Sequence, residues 1–434
     1  MNIRLGPAAA LLIAWSGVAS ALDAPAQSVG ISDAIRSAIA NNLGTKLAAA
    51  QDDETRAKAI QAASALLPTV LGTVSQSRLL KENLDAIMGF GGSAGPFNTF
   101  DMRLQLSQSL LDLSSVQRYR AARTGLEVSR NAQELAGEHV AASAALAYIE
   151  AARTRASVAT AKADHDLART LVELAEHQHA NGIVTGLDVA RARTRFSEAR
   201  VALLKAESSG RQAMIRLKRV AGWNLEEAIV LADELADSTA PAAAIPEMLK
   251  LASSRPDIGL CSAELEMLKR LLAADKYSRL PTLAVSGNYG RSGNDPGNTI
   301  GTGAVGAALS MPLFAGGRIT GQVAQTESQV AAARAKLADA LIKVEEDVRL
   351  SYEIAEEARL EVSLAAETVA LAEQELSMSQ DRYMHGVGDN IELVTAQVEL
   401  AKVRNNYVTA LAMNQQARIN LASATGRARS FTLK

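Results

Sequence analysis

Two long stretches of the sequence contain neither of the residues that interrupt helices. The prolines leave 97–240 and 313–434 free of proline, and within these, 138–181 and 322–385 also lack glycine. Because proline destabilises a helix interior by about 3 kcal/mol, such stretches favour continuous helices. A helix over 322–385 has about 64 residues and is roughly 95 Å long at about 1.5 Å per residue. A rod of this length does not fit in a compact globular domain.

The amino-acid composition supports the prediction of long helices. Apolar residues make up 48% of the chain but aromatic residues only 3%, and a sequence rich in Ala, Leu and Val is typical of helical proteins. The formal net charge is −2, so we expect no nucleic-acid partner, and the basic run 191–219 is interpreted as an outer helix face that is open to contact with an acidic adaptor. The single cysteine, Cys261, excludes an intramolecular disulfide and a cysteine zinc cluster.

No group of polar residues has the spacing of a catalytic or metal site. His177 and His179 fall on different helix faces, and together with His165 they are interpreted as part of a solvated surface. The glycines of 301–306 match GxGxxG, but they lie in a strand-like segment that leads to Pro312 instead of a helix. We therefore expect that the protein is not an enzyme and that it has no catalytic residue, no metal ion and no cofactor.

The first 21 residues have the pattern of a secretory signal peptide. A basic start at Arg4 and the apolar stretch Ala8–Ala14 precede a small-x-small end at Ala19-Ser20-Ala21, so cleavage is expected before Leu22. No later stretch reaches the roughly 18 apolar residues that a membrane-spanning helix needs. The sequence predicts an exported chain that does not cross a bilayer by helices.

The chain is a tandem duplication. Three short motifs recur in the same order: Leu67-Pro68-Thr69 as Leu280-Pro281-Thr282, LSQSLLD at 106–112 as LSMPLFA at 309–315, and ANGIVTGLDVARAR at 180–193 as HGVGDNIELVTAQ at 385–397. The predicted organisation is the signal peptide 1–21, a first repeat 22–222, a linker 223–244, a second repeat 245–426 and a tail 427–434.

Each repeat also contains two predicted strands. The clearest begins at Phe100, where Phe100, Met102, Leu104 and Leu106 alternate with Asp101, Arg103, Gln105 and Ser107. A period of two predicts a strand whose two faces meet different solvents. Weaker alternation predicts the others, so that the four strands cover about 68–78, 100–112, 281–291 and 300–313. Polar and glycine-rich segments join each pair into a hairpin.

Strands of about ten residues with one apolar and one polar face are the signature of an outer-membrane β-barrel, although a small soluble sheet is an alternative. Export without a membrane helix favours the barrel. Single-chain barrels start at about eight strands, and lipid does not tolerate open sheet edges. Closure therefore requires several copies of this chain: two supply eight strands and three supply twelve. The predicted fold is mostly α with a membrane β-barrel part, extended by long antiparallel helices into a tube.

These motifs resemble those of the TolC-type outer-membrane efflux family over roughly residues 31–426. The resemblance rests on the paired strand starts SALLPTV and SRLPTLA, the strand-to-helix junctions LSQSLLD and LSMPLFAGGR, and the turns HANGIVTGLDVARAR and YMHGVGDNIELVTAQ. It implies a homotrimer in the outer membrane of a Gram-negative cell, with a twelve-stranded β-barrel in outer-membrane lipid and an α-helical barrel. The tip of that barrel would bind a periplasmic adaptor and an inner-membrane efflux pump or ABC transporter.

Two glycine-containing turns are predicted to form the periplasmic tip. Glycine permits the positive φ of a tight reversal, and the turns contain Gly182 and Gly186 in the first repeat and Gly386 and Gly388 in the second.

Asp188 and Glu392 follow the turns at equivalent positions, each in the first turn of a helix, where a carboxylate complements the helix dipole. The resemblance implies a more specific role for Glu392, in which its three copies in the trimer form an acidic ring that favours cations at a narrow entrance. The family's second acidic position is Thr395 here. The resemblance also implies that Tyr383 donates a hydrogen bond to Asp188, and that the basic residue that joins them elsewhere in the family is replaced by Gly388.

The predicted function is a passive exit duct for small molecules in a tripartite efflux system. A duct for type I secretion of a protein or peptide is an alternative, because the same tube serves either task. A periplasmic coiled-coil protein without a pore is the alternative from another class, and the clean alternation that begins at Phe100 argues against it.

Overall fold

The computed structural model describes residues 27–80, 82–83, 93–94, 96–237, 243–385, 387 and 390–433. The predicted signal peptide, most of the loop between the first two long strands, and Gly386 and Gly388 lie outside these residues.

Two very long helices confirm the mostly helical fold. The first has 68 residues and the second 67, and both reverse into shorter helices that run back along them. At about 1.5 Å per residue each long helix is roughly 100 Å in length. The helices are α1 (Ile31–Asn41), α2 (Leu43–Ser64), α3 (Leu113–Ala180), α4 (Gly186–Ala221), α5 (Ile245–Ala252), α6 (Pro256–Tyr277), α7 (Arg318–Met384), α8 (Asn390–Ala424) and a 3-10 turn (Ala428–Ser430).

Local sequence sets the point at which each long helix leaves the sheet. Asp112 caps α3, because its carboxylate accepts hydrogen bonds from the backbone N–H of Ser115 at 3.0 Å and from the Ser115 hydroxyl at 2.5 Å. The equivalent junction before α7 uses Gly317 at φ 81°, a conformation that favours glycine. Both junctions lie where the sequence predicts them, but only the first is a direct passage from strand to helix, since residues 311–317 separate the preceding strand, Asn298–Ser310, from α7.

Four of the described strands form one antiparallel sheet in the order β2-β5-β7-β8. Each repeat supplies one pair, β2 with β5 and β7 with β8, and the contact of β5 with β7 joins the repeats. The strands are β1 (Gln27–Val29), β2 (Thr69–Leu79), β3 (Glu82–Asn83), β4 (Ser93–Ala94), β5 (Phe97–Leu111), β6 (Ile229–Leu231), β7 (Thr282–Asp295) and β8 (Asn298–Ser310). The short strands form two further pairs, β1 with β6 and β3 with β4.

The strand register collects apolar side chains on one face of the four-stranded sheet. Directly opposed residues of antiparallel strands point to the same face, and Leu104 lies opposite both Gly72 and Tyr289. Leu104 is 60% exposed and Val305, on the same face, is 86% exposed. The exposed apolar residues of this face are Val70, Val74, Met102, Leu104, Leu106, Tyr289, Val305 and Leu309.

The opposite face carries polar side chains that bond to one another. Arg103 forms an ion pair with Asp101 at 2.6 Å and donates a hydrogen bond to the amide oxygen of Asn288 at 3.3 Å. The sheet thus has one face suited to an apolar solvent and one suited to water, as the alternation in β5 predicts. None of the described helices has the length and apolar composition needed to cross a membrane.

A buried tyrosine ties the middle of α3 to the short parallel pair of β1 and β6. The Tyr148 hydroxyl donates to the carbonyl oxygen of Val29 at 3.0 Å and accepts from the backbone N–H of Asp233 at 3.1 Å. Burial raises the pKa of Tyr148 to about 12, so the hydroxyl stays protonated and able to donate. Arg155, two turns along α3, donates to the carbonyl oxygens of Leu231 and Asp233. These bonds fix the chain before α1 and the segment between the repeats to the same part of the helical bundle.

Replacing Tyr148 by Phe should therefore lower the free energy of unfolding by about 1–3 kcal/mol, because the Asp233 backbone N–H loses its acceptor and the Val29 carbonyl oxygen keeps only the backbone N–H of Ala232 as a donor. The apparent melting temperature of the purified protein in detergent should fall by roughly 2–6 °C. Tyr277→Phe, at an exposed position at the end of α6, is the matched control. Equal melting temperatures for the two variants would contradict this role of Tyr148.

Candidate functional site

The structure brings the ends of the two long helical hairpins together. Leu376 and Tyr383 of α7 pack with Leu393 and Leu400 of α8, and Leu171 of α3 packs against this group. We call this group the tip cluster. The predicted tip residues of both repeats are therefore neighbours, and the shared apolar contact explains why both hairpins end at the same level.

The first turn follows the pattern that its glycines predict. Gly182 has a φ of 73°, and the backbone N–H of Ile183 donates to the carbonyl oxygen of Gln178 at 2.9 Å. Thr185 then caps α4, whose first residue is Gly186. In the second turn, Gly386 and Gly388 lie outside the described residues.

Asp188 is held mainly by its own helix. Its carboxylate accepts from the Thr185 backbone N–H at 3.0 Å and from the Thr185 hydroxyl at 2.7 Å, which forms a capping box. Arg191, one turn further along α4, lies 3.7 Å from the other carboxylate oxygen. The ordinary capping role of an acidic residue in the first helical turn is thus present.

Glu392 also has a basic neighbour. Arg382 of α7 lies 3.4 Å from its carboxylate, and both side chains are about half exposed. The sequence has Gly388 at the position of the family's basic residue, and the basic residues near the two carboxylates are Arg191 and Arg382, at other positions. The exposed pair of Arg382 with Glu392 contributes about 0–1 kcal/mol and is easily broken. Thr395 uses its hydroxyl within α8, where it donates to the carbonyl oxygen of Ile391 at 2.7 Å.

Tyr383 does not make the hydrogen bond to Asp188 that the family resemblance implies. Its side chain is 7% exposed, and its hydroxyl has no hydrogen-bond partner among the described residues. Burial, with a smaller contribution from the negative charge of Asp188, raises the pKa of Tyr383. Tyr383 instead packs against the neighbouring helices within the tip cluster.

Ion pairs also join the two helices of each hairpin at positions further from the tip. Arg195 of α4 donates from one guanidinium nitrogen to both carboxylate oxygens of Asp164 at 2.7 and 2.8 Å, and both side chains are nearly buried. Arg404 of α8 pairs with Glu373 of α7 at 2.5 Å in the second hairpin. The interpretation of the basic run 191–219 as an outer helix face is wrong at Arg195, whose side chain is nearly buried. Its helical spacing from the buried Val189, Ala192 and Ala199 is the sequence signal that points inward.

Comparison with known proteins assigns the family. A model of the outer membrane efflux protein family matches residues 34–223 and 249–427, and each segment contains one pair of long strands and one long helical hairpin. The chain belongs to the outer membrane efflux protein family. This family consists of outer-membrane exit ducts with a long periplasmic helical part, and the chain is such a duct.

The relatives of this chain are named for the export of different kinds of molecule. The chain is 24% identical over 337 residues to the alkaline protease secretion protein AprF of Pseudomonas aeruginosa, which covers 73% of this chain and 69% of AprF. It is 22% identical over 405 residues to the pyoverdine export outer membrane protein OpmQ of the same organism, over 90% of this chain and 84% of OpmQ. The crystal structure of the CmeC outer membrane channel of Campylobacter jejuni shares the fold, with a TM-score of 0.79 and 19% identity over 96% of this chain and 92% of CmeC.

Replacing Asp164 by Ala should loosen the tip, because it leaves the Arg195 guanidinium nearly buried without its carboxylate. Breaking such a pair costs about 3–5 kcal/mol. We expect faster cleavage near the 180–186 turn in limited proteolysis of the purified protein. Asp166→Ala is the matched control, since that side chain is 62% exposed on the same helix. Equal cleavage rates in both variants would show that the pair does not stabilise the tip.

Proposed function

We propose that three copies of this chain form a twelve-stranded β-barrel in outer-membrane lipid, continued by an α-helical barrel that reaches into the periplasm. The duct conducts small molecules passively. An inner-membrane efflux pump or ABC transporter supplies the energy, and a periplasmic adaptor joins that transporter to the tip.

The observation that carries this proposal is the four-stranded sheet with one exposed apolar face and one polar face. An apolar face with exposed Leu104 and Val305 suits lipid, whereas the face with Asp101 and Arg103 suits a water-filled lumen. Strands β2 and β8 are the edges of the sheet in the single chain. In lipid those edges need partners, and the β2 edge of one copy is free to pair with the β8 edge of the next.

Secretion of a protein or peptide by a type I system is the second candidate. The alkaline protease secretion protein AprF favours it, and the pyoverdine export protein OpmQ favours export of a small molecule. The duct is common to both tasks, so the inner-membrane partner decides the passenger. Co-purification of the crosslinked complex identifies that partner and separates the two candidates.

Native mass spectrometry of the mature protein, purified from membranes in mild detergent, tests the assembly. We expect the mass of a homotrimer, because four strands from each chain then close a barrel of twelve. A dimer would change the strand number to eight. A soluble monomer would overturn the proposed duct and favour the pore-free periplasmic protein.

We propose that Asp188, Tyr383, Glu392 and Thr395 belong to the periplasmic tip and gate, with Tyr383 buried behind the other three, and that the turns at Gly182, Gly186, Gly386 and Gly388 position them. Three-fold symmetry places one copy of the Glu392 and Arg382 pair on each subunit. Since Arg382 lies 3.4 Å from Glu392, the ring carries both signs of charge and should select cations less strongly than an unpaired acidic ring.

Charge selectivity of the reconstituted duct tests the ring. Arg382→Gln should increase the preference for potassium over chloride roughly twofold or more, because Glu392 then loses its counter-charge, and Glu392→Gln should decrease it. The reversal potential across a potassium chloride gradient in planar bilayers measures both. Arg404→Gln, on α8 but about 20 Å from its start, is the control. Unchanged selectivity in both tip variants would remove Glu392 from the gate.

A further inference from the structure

A small enclosed cavity lies among four helices just behind the tip. Its volume is about 10 Å³, and residues of α3, α4, α7 and α8 line it. Gln397 lies about two turns into α8, so the cavity is roughly 10 Å from the start of that helix. Most of the wall is apolar, with Leu171, Ala175, Ala192 and Leu393 among the lining residues.

Three polar side chains in the wall have an atom without a hydrogen-bond partner. These atoms are Nε of Arg195, the hydroxyl oxygen of Tyr383 and Nε2 of Gln397. The three residues are buried, with exposures of 8%, 7% and 1%. They come from both repeats, because Arg195 belongs to α4 whereas Tyr383 and Gln397 belong to α7 and α8. Buried polar atoms are rarely left unsatisfied, so their convergence on one cavity points to a ligand.

The charge and size of the site indicate which ligand it takes. The positive charge of Arg195 is already balanced by Asp164, which both binds and orients the guanidinium. A neutral ligand therefore suits the site better than an anion. A volume of about 10 Å³ corresponds to about one water molecule, and a buried water typically has about three protein partners.

We propose that this cavity is a binding site for one structural water molecule that joins the two repeats behind the tip. The water accepts hydrogen bonds from Arg195 Nε and Gln397 Nε2 and donates one to the hydroxyl oxygen of Tyr383. One molecule thereby satisfies all three groups. It links the α3–α4 hairpin to the α7–α8 hairpin of the same chain, so the two hairpins move as one unit at this level.

This inference gives Tyr383 a partner inside its own chain and so refines the gate in the proposed function. The site lies entirely within one chain, however, and does not depend on assembly. Its test therefore remains decisive even if the native mass contradicts the trimer.

High-resolution electron cryomicroscopy of the full-length protein in detergent shows the water directly. We expect density within about 2.7–3.2 Å of Arg195 Nε, Tyr383 Oη and Gln397 Nε2. Direct hydrogen bonds among these side chains, without such density, would overturn the proposal. Data from crystals soaked in sodium bromide provide a further check, since anomalous density in the cavity would identify an anion site instead.

Hydrogen–deuterium exchange tests the link between the repeats. Gln397→Leu removes one partner of the water while keeping a side chain of similar size. Amides of α4 around Arg195, in the other repeat, should then exchange roughly fivefold faster. Gln374→Leu, at an exposed position near the tip end of α7, is the matched control and should leave α4 unchanged.

Tyr383→Phe is a second variant that keeps the ring in the tip cluster and removes only the hydroxyl. It should also accelerate exchange in α4, which separates loss of the water from misfolding caused by the Gln397 substitution. Exchange in α4 equal to that of the Gln374→Leu control in both variants would refute the link.

Discussion

Backbone hydrogen bonding at the edges of the four-stranded sheet is the constraint on which the rest of the architecture depends. In lipid, an N–H or C=O group without a partner costs several kcal/mol, so a sheet with edges at β2 and β8 cannot stand alone there. Our proposal of a closed trimeric barrel follows from this requirement. In that trimer the helices share the three-fold symmetry of the barrel, because each long helix follows a strand. Helix α3 begins at Leu113 directly after β5, and α7 begins at Arg318 shortly after β8.

The middle and the tip of the long helices are stabilised in different ways. Around Tyr148, buried hydrogen bonds and a large apolar core fix the bundle to the chain before α1 and to the segment between the repeats. At the tip, by contrast, Glu392 meets Arg382 in an exposed ion pair that contributes little. This difference suits the gate that we propose at the tip, since a rigid middle keeps the shape of the duct while the tip helices move.

Between the firm middle and the weakly held tip lies a layer of buried polar contacts. The pair of Arg195 with Asp164 joins the helices of the first hairpin, and the cavity beside it joins the two hairpins in our proposal. Polar contacts in an apolar interior are sensitive to geometry, because a displaced partner leaves a desolvated group. These polar contacts therefore fix the relative positions of the helices more precisely than van der Waals contacts between alanine side chains do.

The sequence by itself determined the long helices, the four long strands and their order, but not the short strands β1, β3, β4 and β6. Helix length, strand alternation and turn position depend on residues close together in the chain, so proline and glycine spacing and the period of two in β5 were sufficient to predict them. Only the tertiary structure decided which side chains meet across helices. Arg195 and Asp164 are separated by 31 residues, and their contact depends on how two helices rotate about their axes. The same reason explains why Arg382 beside Glu392, the unpartnered hydroxyl of Tyr383 and the buried cavity could not be predicted.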